Sequence, residues 1–156
     1  MGLDQYLIAE QYVSGYSFKK NDGTAYETLL KLVGLTLDDV TGDAPSGTVS
    51  VNVCYWRKAN AIHKWFVDNC QGGIDDRRLT CVPKEKLSQL LELCKEIKAN
   101  PHKSRGLLPT RVGFFFGSTE YGEGYMQDIE DTIAQLEKIF GNKKFEQFDF
   151  YYRSTW

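Results

Sequence analysis

Residues 49–70, VSVNVCYWRKANAIHKWFVDNC, contain the clearest change of apolar periodicity in the chain. Up to Tyr55 the valines alternate with polar or small residues, which predicts a half-buried β-strand with the valines and Tyr55 on one face. From Trp56 to Cys70 the apolar residues recur every three or four positions, which predicts an amphipathic helix directly after the strand. The stretch therefore indicates a domain that combines strands and helices.

The rest of the chain continues this alternation of strands and helices. We predict strands over residues 3–13, 79–82, 112–116 and 145–156, and helices over residues 26–33, 83–99 and 120–140. In the second of these helices Leu87, Leu90, Leu91, Cys94 and Ile97 form one apolar stripe. The order predicts one globular α+β domain over residues 1–156, with a single-layer mixed or mainly antiparallel sheet packed by three to four helices.

The composition argues against several functional classes. The 156 residues include 19 basic and 21 acidic side chains, so the net charge of −2 does not suit generic binding to duplex nucleic acid. Two histidines and four cysteines at unpaired spacings predict no metal site and no cofactor, and we expect the thiols to be reduced and mostly core-filling. Without a signal peptide or a run of about 20 apolar residues, we expect a soluble cytoplasmic protein that does not enter a membrane.

The predicted helix from Trp56 carries the first candidate for ligand binding. Helical geometry places Trp56 and His63 on the apolar side, Arg57, Asn60 and Lys64 beside it, and Trp65 opposite, near Lys58. An outward Trp beside three cations predicts a stacking platform for a nucleotide, with Asn60 recognising one edge of the base. Packing of Trp65 against the C-terminal strand or a second copy is the alternative. For His63, a core position is favoured over contact with a ligand.

The second candidate is the segment Phe114-Phe115-Phe116-Gly117-Ser118-Thr119-Glu120. A strand that ends in Gly-Ser-Thr at the start of a helix gathers free backbone N–H groups, and Ser118 and Thr119 add hydroxyls that can hold a phosphate. Ordinary helix capping by Ser118 or Thr119 is the favoured alternative, because Glu120 and Glu123 repel an anion. The basic loop 98–111 is a third candidate, as a lid over a polyanion, although a solvated run of charges is the commoner arrangement.

Two of these segments carry a resemblance to a known family. YWRKANxIHKWF from Tyr55 and FFFGSTEY from Phe114, with the Met-Gly-Leu-Asp start and the aromatic C-terminal strand, resemble a family of small uncharacterised proteins of phages and prophages. The chain departs from the family at Gly122 and Gly124, where acidic residues are expected. The resemblance implies a protein that acts on host defence or host metabolism, and it assigns no catalytic residue.

The residues of the candidate sites predict a protein that binds a phosphorylated, nucleotide-like small molecule. The resemblance implies a phage-type accessory protein in the host cytoplasm, which sequesters a host defence second messenger as a homo-oligomeric sponge. The ligand-binding candidates are Trp56, Arg57, Lys58, Asn60, His63, Lys64, Trp65, Ser118 and Thr119. One alternative is a nucleotide-processing hydrolase or phosphoesterase with His63 as acid or base and Glu120 as its partner. The other is an inhibitor that binds a host protein through the C-terminal strand as a sheet edge.

Overall fold

The computed structural model describes residues 2–16, 22–42 and 45–156, and it confirms the α+β fold class. A four-stranded antiparallel sheet has the order β2-β1-β4-β3. The strands are β1 (Asp4–Ser14), β2 (Ser46–Arg57), β3 (Thr80–Cys81) and β4 (Asp149–Thr155). The described helices are α1 (Asp22–Leu32), α2 (Asn60–Cys70), α3 (Lys84–Ala99), α4 (Ser104–Leu107) and α5 (Glu123–Phe140), with short 3-10 segments at Leu37–Asp39, Pro101–Lys103 and Lys143–Gln147.

The C-terminal strand β4 lies inside the sheet, between β1 and β3. Thr80 pairs with Tyr152 and Cys81 with Tyr151 in antiparallel register, and the N–H of Val82 donates to the carbonyl of Phe150 at 2.8 Å. Because β4 has a neighbouring strand on each side, the prediction that it forms a sheet edge is wrong. The strands at the two edges are β2 and β3.

The core lies between the sheet and helices α2, α3 and α5. Alternate residues of β1 and β4 point into it, as expected for strands with one buried face. On α3 the predicted stripe is confirmed, and α3 packs against α5. The buried core includes Leu7, Cys54, Trp56, Phe66, Leu87, Leu90, Cys94, Ile129, Leu136, Phe150 and Tyr152. Burial raises the pKa of the Cys54 and Cys94 thiols to about 12, so both behave as apolar packing groups.

The junction between β2 and α2 differs from the prediction in two ways. The strand continues through Trp56 and Arg57, and the helix starts only at Asn60. The valine face of β2 is also the exposed one: Val49 and Val51 are 39% and 49% exposed, while the opposite face buries Trp56. A large indole removes more apolar surface from water than a valine does, so its burial decides which face turns inward.

Residues 112–116 form a turn and not the predicted strand. The N–H of Phe116 donates to the carbonyl of Gly113 at 3.2 Å and closes the turn, and the Phe116 ring is buried beneath it. Of the three phenylalanines, Phe116 is buried and Phe114 and Phe115 are exposed, so the side chains do not alternate between two faces as those of a strand would. The last helix begins at Glu123, three residues later than predicted, with Gly122 at its N-cap.

The contacts divide the chain into two compact units, Met1–Ala9 with Asn52–Trp156, and Glu10–Val51. The first unit holds the core described above. In the second unit the buried side chains among the described residues are Tyr26 and Leu30 of α1. No helix in the described part of the chain is long and apolar enough to span a membrane.

Candidate functional site

A cleft of about 420 Å³ opens between the end of β2, the start of α2 and the segment that leads into α5. It brings together four predicted ligand-binding residues: Arg57, Lys58, Asn60 and Ser118. The other lining residues are Ala61, Thr110, Gly117, Glu120, Gly122, Glu123, Gly124, Tyr125 and Asp128. All of them belong to the first compact unit. Thr119 follows Ser118 and is half-buried, and its carbonyl accepts a hydrogen bond from the Thr110 hydroxyl at 3.1 Å.

Two cations stand on one side of the cleft without a carboxylate partner. Trp56 points inward, where its indole N–H donates to the Thr132 hydroxyl at 2.9 Å, so Arg57 points outward on the alternating strand. Within the described residues, neither Arg57 nor Lys58 lies at ion-pair distance from an acidic side chain. The described part of the chain therefore leaves both charges without a neutralising carboxylate, and both can pair with an anion from solution.

The backbone at Lys58 has an uncommon conformation. Its φ of 59° is rare for a residue with a long side chain, and it turns the chain from β2 into α2. Gly117, at φ +92°, lies against it: an added Cβ would come within 3.0 Å of the Lys58 Cβ and 3.1 Å of the Lys58 carbonyl oxygen. The absence of a side chain at Gly117 lets the turn approach Lys58 closely. Such strained residues cluster at functional sites.

Asn60 fixes the position of the 111–118 segment, part of which lines the cleft. Its Oδ1 accepts from the Arg111 N–H at 3.0 Å, and its Nδ2 donates to the carbonyls of Phe116 at 3.2 Å and Ser118 at 2.8 Å. The buried amide thus uses both of its N–H groups on the 111–118 segment. In this structure the Asn60 side chain positions the Gly117-Ser118 turn, and the recognition of a base edge by Asn60 stays a prediction.

Three carboxylates, those of Glu120, Glu123 and Asp128, line the side of the cleft that the start of α5 provides. Burial, with the nearby Asp131, raises the pKa of Asp128 to about 6. The cleft therefore separates charge, with cations at the β2 end and carboxylates at the α5 side. A ligand that carries both an anionic group and hydrogen-bond donors matches this arrangement better than a simple polyanion does.

Trp65 does not form an outward platform, and this prediction is wrong. Its side chain is 8% exposed and packs edge-to-face on Phe66, with ring centroids 5.2 Å apart. Helix α2 is covered on most of its surface, because residues on several faces, from Asn60 to Val67, are buried. Trp56 also belongs to the core. Lys64 forms an ion pair with Asp68, one turn along α2, and does not line the cleft.

His63 is fully buried, so its predicted core position is confirmed. Its Nε2 lies 2.9 Å from Asp75 Oδ2, and its Nδ1 lies 2.8 Å from the Tyr152 hydroxyl. Burial lowers the pKa of His63, and the Asp75 carboxylate opposes that shift in part. Arg111 and the Trp156 indole also reach Asp75, both at 3.2 Å. The carboxylate beside His63 is thus Asp75, and not Glu120 as the hydrolase hypothesis requires.

Asp75 and Tyr152 are absent from the sequence-based candidates because nothing local marks them, and Arg111 is a candidate there only as the last residue of the basic loop 98–111. Asp75 lies in the loop after α2, Arg111 in the segment before the turn and Tyr152 in β4. The three meet around His63 only through the tertiary fold. Asp75 and Tyr152 hydrogen-bond the buried His63 ring and Arg111 pairs with Asp75, so the polar atoms of the ring are satisfied.

The basic loop 98–111 has its cations paired. Lys98 lies 3.1 Å from Glu130, Lys103 lies 2.8 Å from Glu96, and Arg111 pairs with Asp75. The guanidinium of Arg105 lies 5.0 Å above the Tyr121 ring. Because internal groups already meet these charges, the geometry favours the solvated charge run over a lid for a polyanion.

No family model, no curated protein and no solved structure matches the chain. Among the described residues, no group of three His, Cys, Asp or Glu side chains is placed to hold a metal ion.

Proposed function

We propose that the protein binds a phosphorylated, nucleotide-like small molecule in this cleft and holds it without cleaving it. The observation that carries the proposal is the pair Arg57 and Lys58, which face the cleft with no carboxylate partner among the described residues. Hydrogen bonds between such cations and a phosphate contribute about 1.5–3 kcal/mol each.

The opposite wall supports a ligand with donors as well as an anion. Glu120, Glu123 and Asp128 repel phosphate when they are ionised, so the phosphate has one favourable place, at the cations. Carboxylates accept hydrogen bonds, and the hydroxyls of a ribose or the amino group of a base supply the donors. The separated charges thus favour one orientation of a nucleotide in the cleft.

Retention without cleavage is supported by the position of His63. The ring is buried, does not line the cleft and is occupied by Asp75 and Tyr152. A general acid or base must reach the reacting group, directly or through one water. For a protein of the phage family that the chain resembles, retention sequesters a host defence second messenger, and we expect several copies to assemble around the captured ligands.

The test is a titration of the purified protein with a panel of nucleoside monophosphates, diphosphates and cyclic dinucleotides. We expect one class to raise the Tm by roughly 5–10 °C at a concentration of about 100 Kd, and calorimetry to give its affinity. Recovery of that nucleotide unchanged after the protein is denatured supports retention, whereas altered nucleotide supports the hydrolase. Native mass spectrometry of the same sample gives the number of subunits.

Variants of the cations connect binding to the cleft. We expect Arg57→Gln and Lys58→Gln each to weaken binding about 10- to 100-fold. Lys64→Gln is the matched control, because Lys64 is also a cation of this region but pairs with Asp68 outside the cleft. Absence of binding by every member of the panel, or an equal loss in all three variants, contradicts the proposal.

A further inference from the structure

Phe114 and Phe115, which we call the aromatic tip, are exposed beside the cleft. Their side chains are 82% and 49% exposed, and their ring centroids lie 4.1 Å apart. The next residue, Phe116, is buried and packs edge-to-face on His63 and on Trp156. The core therefore accounts for one of three successive phenylalanines and leaves two large rings in water.

The backbone under the aromatic tip is strained. The turn from Gly113 to Phe116 places Phe115 at its third position with a φ of 62°. Glycine or asparagine is usual at a turn position with positive φ, because a bulky side chain is disfavoured there. A phenylalanine at this position costs stability, and its ring contacts that of the exposed Phe114, so the fold alone does not explain it. Strain of this kind marks functional segments.

The aromatic tip is held close to the cationic side of the cleft. The Asn60 amide binds the Arg111 N–H before the tip and the Phe116 and Ser118 carbonyls after it. Gly2 lies beside both features: a Cβ added there would be 3.4 Å from Lys58 Cε and 3.9 Å from the Phe115 carbonyl oxygen. The tip is thus anchored at both ends, and Gly2 lies close both to its backbone and to the Lys58 side chain.

We propose that the aromatic tip stacks on the nucleobase of the ligand, so that the cleft selects base-bearing phosphates over sugar phosphates and inorganic phosphates. This inference rests on the proposed function, in which Arg57 and Lys58 receive the phosphate. Exposed phenylalanine rings bind bases through their flat faces, and this contact does not depend on which base is present. The tip takes the role that the sequence suggested for Trp65, which is buried.

The experiment compares a nucleoside diphosphate with inorganic pyrophosphate, which carries the same phosphate pair without a base. We expect Phe114→Ala and Phe115→Gly to weaken binding of the nucleotide about 5- to 100-fold and to leave the affinity for pyrophosphate unchanged. Because glycine suits the φ of 62° at position 115, we expect Phe115→Gly to raise the Tm while it weakens binding. Loss of fold therefore cannot produce this result.

Phe140→Ala is the control, because Phe140 is an exposed ring at the end of α5 that does not line the cleft. Unchanged nucleotide affinity in both tip variants, or an equal loss for pyrophosphate, overturns this inference and leaves the proposed function standing. Failure of the wild-type protein to bind either probe overturns both. Binding of anionic phospholipid vesicles that requires the tip, without any nucleotide effect, also overturns the inference and identifies the tip as a membrane contact.

Discussion

Asp128 makes the stability of the protein depend on pH in a defined direction. Its carboxyl has a pKa of about 6 in the folded protein, against 3.8 for the ordinary side chain. The folded state holds this proton more tightly, so the group stabilises the fold fully below pH 3.8, and that contribution is lost as the pH rises through about 6. At neutral pH the ionised Asp128 therefore lowers the free energy of unfolding, and an uncharged side chain at this position would not.

We predict that Asp128→Asn increases the free energy of unfolding by about 1 kcal/mol near pH 7.5, after allowance for solvent screening, and by much less near pH 4.5. The gain corresponds to a rise in Tm of about 2–4 °C. Urea unfolding at both pH values measures it, with Asp149→Asn as a control at an exposed acidic residue. An equal gain at both pH values would show that ionisation is not the cause.

His63 has the opposite pH dependence. Burial lowers its pKa from 6.5. The contribution of the neutral His63 to the free energy of unfolding is therefore complete above pH 6.5, and it is lost as the pH falls through the lowered pKa.

We predict that His63→Ala decreases the free energy of unfolding by about 3 kcal/mol near pH 7.5, because it leaves a cavity and removes a partner from Asp75 and Tyr152. Lys64→Ala, in the next position but in a partly exposed ion pair, should change it by less than about 1 kcal/mol. Urea unfolding measures the free energy of unfolding of both variants, and an equally small decrease in both would show that His63 does not stabilise the fold.

Among the contacts between elements, the Gly117 turn lies close to Lys58 at the end of β2. An alanine at position 117 would combine a φ of +92° with Cβ contacts of 3.0–3.1 Å to Lys58. We predict that Gly117→Ala decreases the free energy of unfolding by about 1–3 kcal/mol and weakens ligand binding, because the turn must move away from the cation. Gly122→Ala is the matched control, since no atom lies within 4 Å of its added Cβ. Similar effects of both variants on Tm and affinity would contradict this account.

The elements differ in how far the sequence predicts them, and the reason is local. Helix α3 follows its apolar stripe from Leu87 to Ile97 and ends at Asn100-Pro101, so propensity and packing agree. The boundary between β2 and α2 depends on the φ of 59° at Lys58, a position where sequence rules expect glycine or asparagine. A lysine at this position gives no signal in the sequence that the chain changes direction there. The helical period in the sequence therefore extends back to Trp56, whereas the burial of Trp65 has a separate cause, the tertiary packing that covers several faces of α2.

The same distinction explains the candidate site. Arg57, Lys58 and Asn60 are neighbours in sequence, so the cluster of polar residues near the end of β2 is predictable. Its meeting with Ser118 across 58 residues, and the contact of Asp75 with Trp156 across 81, are products of the tertiary fold. The role of Asn60 changes for this reason: a side chain that local spacing assigns to a ligand is used to hold a distant turn.

At the scale of the whole molecule, the two compact units differ in their buried apolar content. The unit Met1–Ala9 with Asn52–Trp156 contains the core and every residue that lines the cleft. In Glu10–Val51 the buried side chains among the described residues are Tyr26 and Leu30. Segments with few buried apolar contacts open at a low cost in free energy, so we expect the backbone amides of the described residues of this second unit to exchange faster than those of the core.

This difference predicts that the first unit folds and binds without the second. Replacing residues 10–51 by an Asn-Gly turn joins the inner halves of β1 and β2 as a short hairpin, a connection that suits two antiparallel strands. We expect the shortened chain to unfold cooperatively and to keep the nucleotide affinity of the full chain within about threefold, because every residue that lines the cleft belongs to the first unit. Circular dichroism during heating and calorimetry measure the two properties. A shortened chain that is folded but does not bind would show that the second unit contributes to the ligand site, whereas one that does not fold would show that the core depends on the excised residues.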